Sequence, residues 1–366
     1  MAPSYAQLAP KPGIMDITPY VPGKSAAANV SKILKMSSNE NPLGPSPKAI
    51  EAFTKHTAKL HRYPDGGSTE LRKAIAEVYG LNPDRIVCGA GSDELIGLLV
   101  HAYAGLGDEV IISEHGFLMY KIYALGNSAT VVTAPEKNLT TDVNAILARV
   151  TPQTKLVFVA NPNNPTGSYL PATEIKRLRD KLPPSVILVL DAAYAEYSDK
   201  PDYTAGAELV EETPNTVMLR TFSKIYGLSS LRLGWGYFPE DIADVLHRVR
   251  GPFNVSGAAM AAGVAAVKDV DYIQKVKQHN ATWLKSVSKD ISALGLTVYP
   301  SIANFILIGF PDNTKTAAEA NEYLLDKGII IRDVKAYGLS NCLRASIGSE
   351  EENKALVDAL STFMKS

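Results

Sequence analysis

Short apolar runs alternate with segments of helical periodicity over the first 260 residues or so. The runs have the length of single strands and carry few charges, so we predict that they form one sheet buried on both faces. The predicted strands span residues 109–112, 129–132, 156–160, 186–190, 217–219 and 234–238. Because helical patterns separate most of them, the order indicates an α/β domain with a mostly parallel central sheet.

The pattern changes after residue 262. Ile273, Val276, Trp283, Val287, Ile291 and Leu294 follow a helical period over one long segment. Strand-like and helical segments then follow at 303–308, 316–326, 329–332 and 343–347. Ser349 and Glu352 form a capping box at the start of a last predicted helix. We therefore predict a large domain over residues 36–262 and a smaller α+β domain over 263–366.

Lys224 is the candidate reactive residue, because it lies between an apolar run and a glycine-rich exit. An amine in a mostly dry pocket can condense with an aldehyde cofactor. The hydroxyls of Thr221 and Ser223, with the guanidinium of Arg232, can hold a phosphate beside it. An isolated Ser-Lys pair is more often a solvated loop segment, so the interpretation depends on three further segments.

Two of these segments follow predicted strands. Asn164 lies in the Asn-Pro-rich loop after strand 156–160, at the edge where open α/β sheets bind ligands. Asn-Pro repeats are also ordinary turn formers. Asp191 ends an apolar run with little bulk water near it, so it should face a cationic partner such as a protonated pyridine nitrogen. Tyr194 can donate to a ring oxygen beside it. The alternative is that Asp191 caps the next helix.

The third segment is Gly89-Ala90-Gly91, which precedes a predicted helix that begins near Ser92 and Asp93. Free backbone N–H groups at a helix start suit a phosphate. A plain helix cap by Ser92 or Asp93 is the alternative. The three segments and Lys224 occur in the order that one cofactor site needs.

Together these segments resemble the fold-type I pyridoxal-phosphate aminotransferases and, within them, the histidinol-phosphate aminotransferase family. The resemblance extends nearly end to end and includes residues 37–47, 62–67 and 342–348. It implies the two-domain α/β fold described above, with residues 1–35 as an N-terminal arm on the smaller domain. It also implies pyridoxal 5′-phosphate as cofactor and a two-step exchange of an amino group between histidinol phosphate and 2-oxoglutarate, in histidine biosynthesis.

The resemblance also implies roles for single residues. Lys224 matches the Schiff-base lysine, Asp191 the pyridinium partner, and Asn164 and Tyr194 the donors to the ring oxygen. Phe117, otherwise a core residue, matches an aromatic ring stacked on the cofactor. The resemblance assigns contacts with the cofactor phosphate to Gly91, Ser92, Asp93, Thr221, Ser223, Arg232 and Tyr63. Tyr63 matches a tyrosine that crosses from the second subunit, which implies a homodimer with shared active sites.

Substrate recognition is implied for Arg344, Tyr20, Arg332 and Asn164. Arg344 matches the arginine that binds the substrate carboxylate, a task that favours a planar guanidinium. Tyr20 and Arg332 match positions near the distal phosphate of histidinol phosphate, although an arginine there also occurs with other substrates. The chain departs from relatives at Ala192, where glutamate is usual, and at Ser229-Ser230.

Three alternatives to a histidinol-phosphate aminotransferase stay open at this stage. An aromatic amino-acid aminotransferase, or an enzyme of dual specificity, would use the same residues. A phospho-amino-acid decarboxylase would share the cofactor site, and an assay with amino donors would separate it. A non-catalytic regulator usually needs a fused DNA-binding module, for which no residues are available.

Composition and charge limit the classes of partner that the protein is expected to bind. The chain has 366 residues, 46% of them hydrophobic, and a formal net charge of −1. Scattered basic residues give no attraction to nucleic acid or to anionic membranes. Cys88 and Cys342 lie far apart beside apolar neighbours, so we expect reduced thiols and no metal site. Residues 1–10 do not look like a leader and no apolar run is long enough to span a bilayer, so we expect a soluble cytoplasmic protein.

Overall fold

Strands and helices alternate in the computed structural model, which describes residues 9–24, 30, 32–311 and 315–366. In chain order the strands are β1 (Leu34–Lys35), β2 (Ile86–Gly89), β3 (Glu109–Ser113), β4 (Thr130–Ala134), β5 (Glu136–Lys137), β6 (Thr140–Thr141), β7 (Thr154–Ala160), β8 (Ile187–Asp191), β9 (Thr216–Thr221), β10 (Gly234–Tyr237), β11 (Thr297–Tyr299), β12 (Phe305–Gly309), β13 (Ile329–Ile330), β14 (Arg332–Asp333) and β15 (Cys342–Ser346). The α-helices are α1 (Pro47–His56), α2 (Thr69–Tyr79), α3 (Ser92–Tyr103), α4 (Leu118–Gly126), α5 (Val143–Leu147), α6 (Ala172–Lys181), α7 (Ala207–Glu212), α8 (Glu240–Val249), α9 (Gly257–Lys268), α10 (Val270–Ser292), α11 (Ala317–Asp326) and α12 (Glu350–Lys365).

The central sheet has seven strands in the order β2-β10-β9-β8-β7-β3-β4. Strand β10 runs antiparallel to both of its neighbours, and the other pairings are parallel. Successive residues of β7 face opposite sides: Leu156 and Phe158 pack with α3, while Val157 and Val159 pack with α6. Both faces are therefore buried, which explains the continuous apolar runs. The predicted α/β class with a mostly parallel sheet is confirmed.

The C-terminal part contains a second sheet, antiparallel throughout, in the order β11-β12-β15-β14. Helices α10, α11 and α12 pack against it through a shared apolar core. Both α11 and α12 begin with a capping box, and the one formed by Ser349 and Glu352 confirms the prediction from the sequence. Strand β11 is not among the predicted strands. The predicted strand 329–332 is two strands, because the chain passes at Ile331 from pairing with β1 to pairing with β15.

The described part of the N-terminal segment contacts both halves of the chain. Strand β1 pairs in parallel with β13. Farther upstream, the Ser128 hydroxyl donates to the backbone oxygen of Pro12 over 2.8 Å. Residues 1–8, 25–29 and 31 of the predicted arm lie outside the described residues. The division at residues 35 and 262 stays a prediction.

Strand order places the candidate residues at one edge of the central sheet. Asp191 at the end of β8 is in register with Ala160 at the end of β7. Gly234, the first residue of the antiparallel β10, lies opposite both Thr221 and Gly89. The Asn164 loop, the Lys224 loop and the start of α3 therefore meet at the carboxyl edge of the parallel strands, where α/β sheets bind ligands.

Candidate active site

A cavity opens at this edge and gathers most of the predicted cofactor residues. Those that line it are Ser92, Asp93, Phe117, Asn164, Asp191, Tyr194, Thr221, Ser223, Lys224 and Arg232. Gly91 directly precedes the first of them at the start of α3. Tyr120, Ala160, Pro162, Ala193 and Ser229 line the same cavity and had been given no role.

Lys224 lies in the loop after β9 and is partly buried. Its Nζ lies 3.4 Å from the backbone oxygen of Ser38 and 5.5 Å from the ring centre of Tyr194. The loop turns at Gly227, whose φ is +68° and where a Cβ would lie 2.5 Å from the backbone oxygen of Gly44. Glycine thus allows the loop to pack closely against residue 44, and the amine reaches the cavity.

The Asp191 carboxylate is buried, and only one of its two oxygens has a hydrogen-bond partner among the described residues. Its Oδ2 accepts a hydrogen bond of 2.7 Å from the Tyr120 hydroxyl, and its Oδ1 has no partner among the described residues. Burial raises the pKa of Asp191 to about 6, although the Tyr120 hydrogen bond acts in the opposite direction. As the last residue of β8, Asp191 does not cap a helix. A cationic donor placed at Oδ1 would satisfy this oxygen, and a pyridinium nitrogen is such a donor.

A second part of the cavity has the properties of a phosphate site. Gly91 has a φ of +84°, and a Cβ there would lie 2.6 Å from Nη2 of Arg232. Arg232 donates to the Ser223 hydroxyl over 3.3 Å and to the backbone oxygen of Ser229 over 3.1 Å. The first N–H groups of α3 point out of the helix with no intrahelical acceptor. Helix start, guanidinium and hydroxyl together suit a phosphate dianion.

Asp93 contributes to this region through its backbone. Its Oδ2 accepts a hydrogen bond of 2.9 Å from the Tyr123 hydroxyl, and its Oδ1 is buried with no partner among the described residues. A carboxylate would repel a phosphate, so only the N–H group of Asp93 can serve as a phosphate donor.

Two buried arginines lie opposite each other on β14 and β15, Arg332 and Arg344. Arg344 donates to Asn164 Oδ1 and to the backbone oxygen of Ser37, and its Nε has no partner among the described residues. Arg332 donates to the backbone oxygen of Val21 over 2.9 Å. Burial lowers the pKa of Arg344. Because all of these acceptors are uncharged, the arrangement suits an anionic ligand.

Tyr20 and Arg332 line a neighbouring cavity of about 600 Å³, formed by residues 16–24, α4 and the segment 331–336. The Arg332 guanidinium lies 5.8 Å from the Tyr20 ring centre. The two residues thus lie together, as the resemblance implies, but outside the Lys224 cavity. Arg344 connects the two regions, since it faces Arg332 in the sheet and contacts Asn164.

Tyr63 does not line the Lys224 cavity of its own chain. Its side chain is 84% exposed and stacks on Phe253, with the ring centres 4.8 Å apart. The expected contact with the cofactor phosphate needs a second chain and stays a prediction.

Neither Tyr120 nor Asn39 is assigned a role by the sequence patterns. Tyr120 follows Phe117 by three residues at the start of a helix, a spacing that favours contact on one face. Asn39 Nδ2 donates to the Tyr194 hydroxyl over 2.9 Å, across 155 residues of chain, so no local signal marks it. Ser37, Ser38 and Asn39 form a short segment in which consecutive residues contact Arg344, Lys224 and Tyr194.

The described ranges contain no group of three or more His, Cys, Asp or Glu residues arranged to hold a metal ion. Within the same ranges, no helix combines the length and apolar character needed to cross a bilayer.

Comparison with known proteins gives a consistent result. The model of the family "aminotransferase class I and II" matches residues 31–360. The chain is 57% identical to the histidinol-phosphate aminotransferase of Paramagnetospirillum magneticum, covering 97% of this chain and 98% of the relative. It is 55% identical to that of Maricaulis maris, with 97% and 99% covered. The crystal structure of the Sinorhizobium meliloti histidinol-phosphate aminotransferase with pyridoxal-5′-phosphate matches with a TM-score of 0.86 at 30% identity, covering 91% of this chain and 92% of that one.

Proposed function

We infer that the protein is a histidinol-phosphate aminotransferase, because the chain belongs to the aminotransferase class I and II family and is similar to relatives of that name over nearly its whole length. Its cofactor is pyridoxal phosphate. The amino group passes from L-histidinol phosphate to 2-oxoglutarate, a reaction of histidine biosynthesis. The observation that supports this choice of substrates is the buried pair Arg332 and Arg344, whose polar contacts are all with uncharged acceptors.

When bound, pyridoxal phosphate supplies an aldehyde that takes up the amino group and a ring that withdraws electrons from the neighbouring carbon. Asp191 is the residue to hold a proton on the ring nitrogen, since its Oδ1 is buried and free. Arg232, Ser223 and the first N–H groups of α3 are the groups to hold the phosphate. Phe117, on the cavity wall, is the residue to pack against the ring.

Lys224 moves the proton. Its Nζ reaches the cavity beside the Tyr194 ring, where it can take a proton from the substrate carbon that bears the amine and return that proton to the carbon on the other side of the amine nitrogen. Tyr194 and Asn164 are donors to the ring oxygen, since both line the cavity. Amino donor and amino acceptor use this one cavity in turn, so ping-pong kinetics follow.

The arginine pair matches the charges of both proposed substrates. Histidinol phosphate carries a distal phosphate of nearly two negative charges, and 2-oxoglutarate carries two carboxylates. Phenylalanine brings one carboxylate and an apolar ring, which would leave one buried guanidinium uncompensated. A site that leaves buried polar groups unpaired rejects the wrong substrate by roughly 10⁴-fold in favourable cases.

Steady-state comparison of kcat/KM for histidinol phosphate, histidinol, phenylalanine and tyrosine, with 2-oxoglutarate as acceptor, tests this function. We expect histidinol phosphate to be preferred and removal of its phosphate to cost most of the activity. Arg332→Gln should lower kcat/KM for histidinol phosphate roughly tenfold to hundredfold and should not lower that for phenylalanine. Arg248→Gln, on the exposed face of α8, is the matched control. If phenylalanine is the better donor, the protein is an aromatic aminotransferase and the histidinol-phosphate assignment is wrong.

The assembly proposed with this function is a homodimer in which Tyr63 reaches the neighbouring site. The high exposure of Tyr63 and its stacking on Phe253 support this proposal. Sedimentation of the active enzyme as a monomer would contradict it. The cytoplasmic location expected from the sequence is part of the same proposal, and cell fractionation tests it.

A further inference from the structure

Asn39 is a buried residue that connects β15 to the Tyr194 hydroxyl through hydrogen bonds alone. Its backbone N–H donates to Ser346 Oγ over 2.8 Å, and Ser346 Oγ donates to Asn39 Oδ1 over 3.0 Å. Its Nδ2 donates to the Tyr194 hydroxyl over 2.9 Å. Its backbone oxygen accepts a bond of 3.0 Å from Asn304 Nδ2. Each polar group of Asn39 thus has a partner, as a buried polar residue requires.

The hydrogen bonds around Asn39 have one consistent set of directions. Ser346 Oγ accepts from the Asn39 backbone N–H, which can only donate, and the Ser346 hydroxyl donates to Asn39 Oδ1. The amide oxygen of Asn39 thus faces Ser346, and its NH₂ group faces Tyr194. Tyr194 therefore accepts from Asn39. Its own proton has no acceptor within hydrogen-bond distance among the described residues, and the side chain lines the Lys224 cavity.

We propose that Asn39 is a positioning residue that keeps the Tyr194 proton directed into the cavity, where it is donated to an acceptor oxygen of the bound molecule. The inference rests on the proposed function, in which that oxygen belongs to the cofactor ring. A hydroxyl that accepts one hydrogen bond also donates more strongly, because the two bonds polarise each other. Asn39 thereby acts on the reaction through Tyr194, without touching the reacting atoms.

The backbone of residue 39 explains why an asparagine can stand there. Its φ of +56° lies in the left-handed region, which asparagine, aspartate and glycine enter more readily than other residues. The side chain of Tyr194 is held from a second direction by Phe305, whose ring packs edge-on at 5.2 Å. With the ring fixed, the hydrogen bond from Asn39 decides only where the hydroxyl proton points.

Asn39→Asp should reverse the direction of the hydrogen bond between residue 39 and the Tyr194 hydroxyl, with almost no change in side-chain shape. At mildly alkaline pH the ionised carboxylate can only accept, so it draws the Tyr194 proton away from the cavity. We expect the pH midpoint of the bound cofactor's visible absorption change to rise by about one pH unit, and we expect the same rise for Tyr194→Phe, since each variant loses one hydrogen bond to a charged oxygen. We expect kcat to fall roughly tenfold to hundredfold in both variants. The double variant should show no further change in either quantity.

Two comparisons separate this role from alternatives. Asn304→Asp loses the bond to the Asn39 backbone oxygen but leaves the side-chain bond from Asn39 to Tyr194 in place, so its midpoint should shift less than that of Asn39→Asp. Asn39→Gly keeps the left-handed backbone and leaves the Tyr194 proton free, so its effect should be smaller than that of Asn39→Asp. If Asn39→Asp does not fold, Asn39→Gly supplies the test. Because residue 39 acts through the Tyr194 hydroxyl, Asn39→Gly should change neither the midpoint nor kcat when Tyr194 is already phenylalanine.

The inference is overturned if the effects of Asn39→Asp and Tyr194→Phe on the midpoint and on kcat are additive in the double variant, because the two substitutions would then act independently. It is also overturned if Asn39→Gly is as damaging as Asn39→Asp, or if Asn304→Asp shifts the midpoint equally. A wild-type protein that binds no cofactor would instead refute the proposed function, so the two failures are distinguishable.

Discussion

Asp191→Asn should separate two effects of one buried carboxylate, one on the stability of the cofactor-free protein and one on cofactor binding. Asparagine keeps the shape of the side chain and retains an oxygen that can accept from Tyr120. It carries no charge to desolvate and cannot pair with a cation. The substitution therefore removes both the desolvation cost of the carboxylate charge and the ability of that charge to pair with a cation.

The size of the first effect follows from the pKa of Asp191, which burial raises from 3.8 to about 6. Because the folded-state pKa is raised, the folded protein holds this proton more tightly than the unfolded chain does. The contribution of Asp191 to the free energy of unfolding is thus present below about pH 4 and lost as the pH rises through about 6. Above that pH the buried charge costs about 3 kcal/mol, so cofactor-free Asp191→Asn should be more stable there by up to ~3 kcal/mol.

The second effect has the opposite sign. Loss of a charge-assisted hydrogen bond to the ring nitrogen costs roughly 1.5 to 3 kcal/mol, which corresponds to cofactor binding about tenfold to hundredfold weaker. Turnover should fall by several orders of magnitude, because a neutral partner cannot keep the ring protonated.

Urea unfolding of the cofactor-free proteins, on either side of about pH 6, measures the first effect, and cofactor titration with steady-state kinetics measures the second. Asp358→Asn, exposed on α12, is the control for loss of an aspartate. An Asp191→Asn protein that is less stable than the wild type at both pH values would refute the reasoning on burial. Near-normal turnover would refute the assignment of Asp191 to the cofactor.

Three other predictions concern the same site. Borohydride reduction followed by peptide mapping should place the cofactor label on Lys224, whereas a label on another lysine would contradict its role; Lys224→Ala should still bind cofactor and amino donor but stop the proton transfer. Mixing inactive Lys224→Ala with an inactive Tyr63 variant should restore part of the activity, since one site of a heterodimer is intact, and no recovery in proven heterodimers would count against the shared site. Tyr120→Phe should raise the pKa of Asp191 further and weaken cofactor binding roughly tenfold, and an unchanged cofactor affinity would show that the Tyr120 hydrogen bond is dispensable.

The parts of the site that could be predicted from the sequence are those whose signal is local. Asp191 directly ends a buried strand, and Gly91 directly precedes a helix, so neighbouring residues define their surroundings. Lys224 and Arg232 lie in one short loop segment between β9 and β10. The motifs and the family resemblance they carry were enough to assign these residues to one cofactor site.

The rest depends on contacts between distant segments. Asn39 is joined to Ser346 across 307 residues, and no periodicity indicates such a pair. The separation of β13 from β14 arises because one chain segment serves two sheets, which an apolar run cannot show. The antiparallel direction of β10 likewise depends on the length and path of the preceding loop rather than on its own residues.

The close approach of Gly234 to the start of α3 has a consequence for the order of folding. A Cβ at Gly234 would lie 2.1 Å from the Ser92 nitrogen, and β2, which leads into α3, joins the described sheet only through β10. The start of α3 and the Arg232 loop are separated by about 140 residues of chain, and in the described sheet only the β2-β10 pairing joins their strands. Contacts between such distant segments form slowly, because a long loop must close first. Cofactor binding during refolding therefore cannot precede formation of the β2-β10 pair, and a nascent chain that ends before residue 234 has no complete phosphate site.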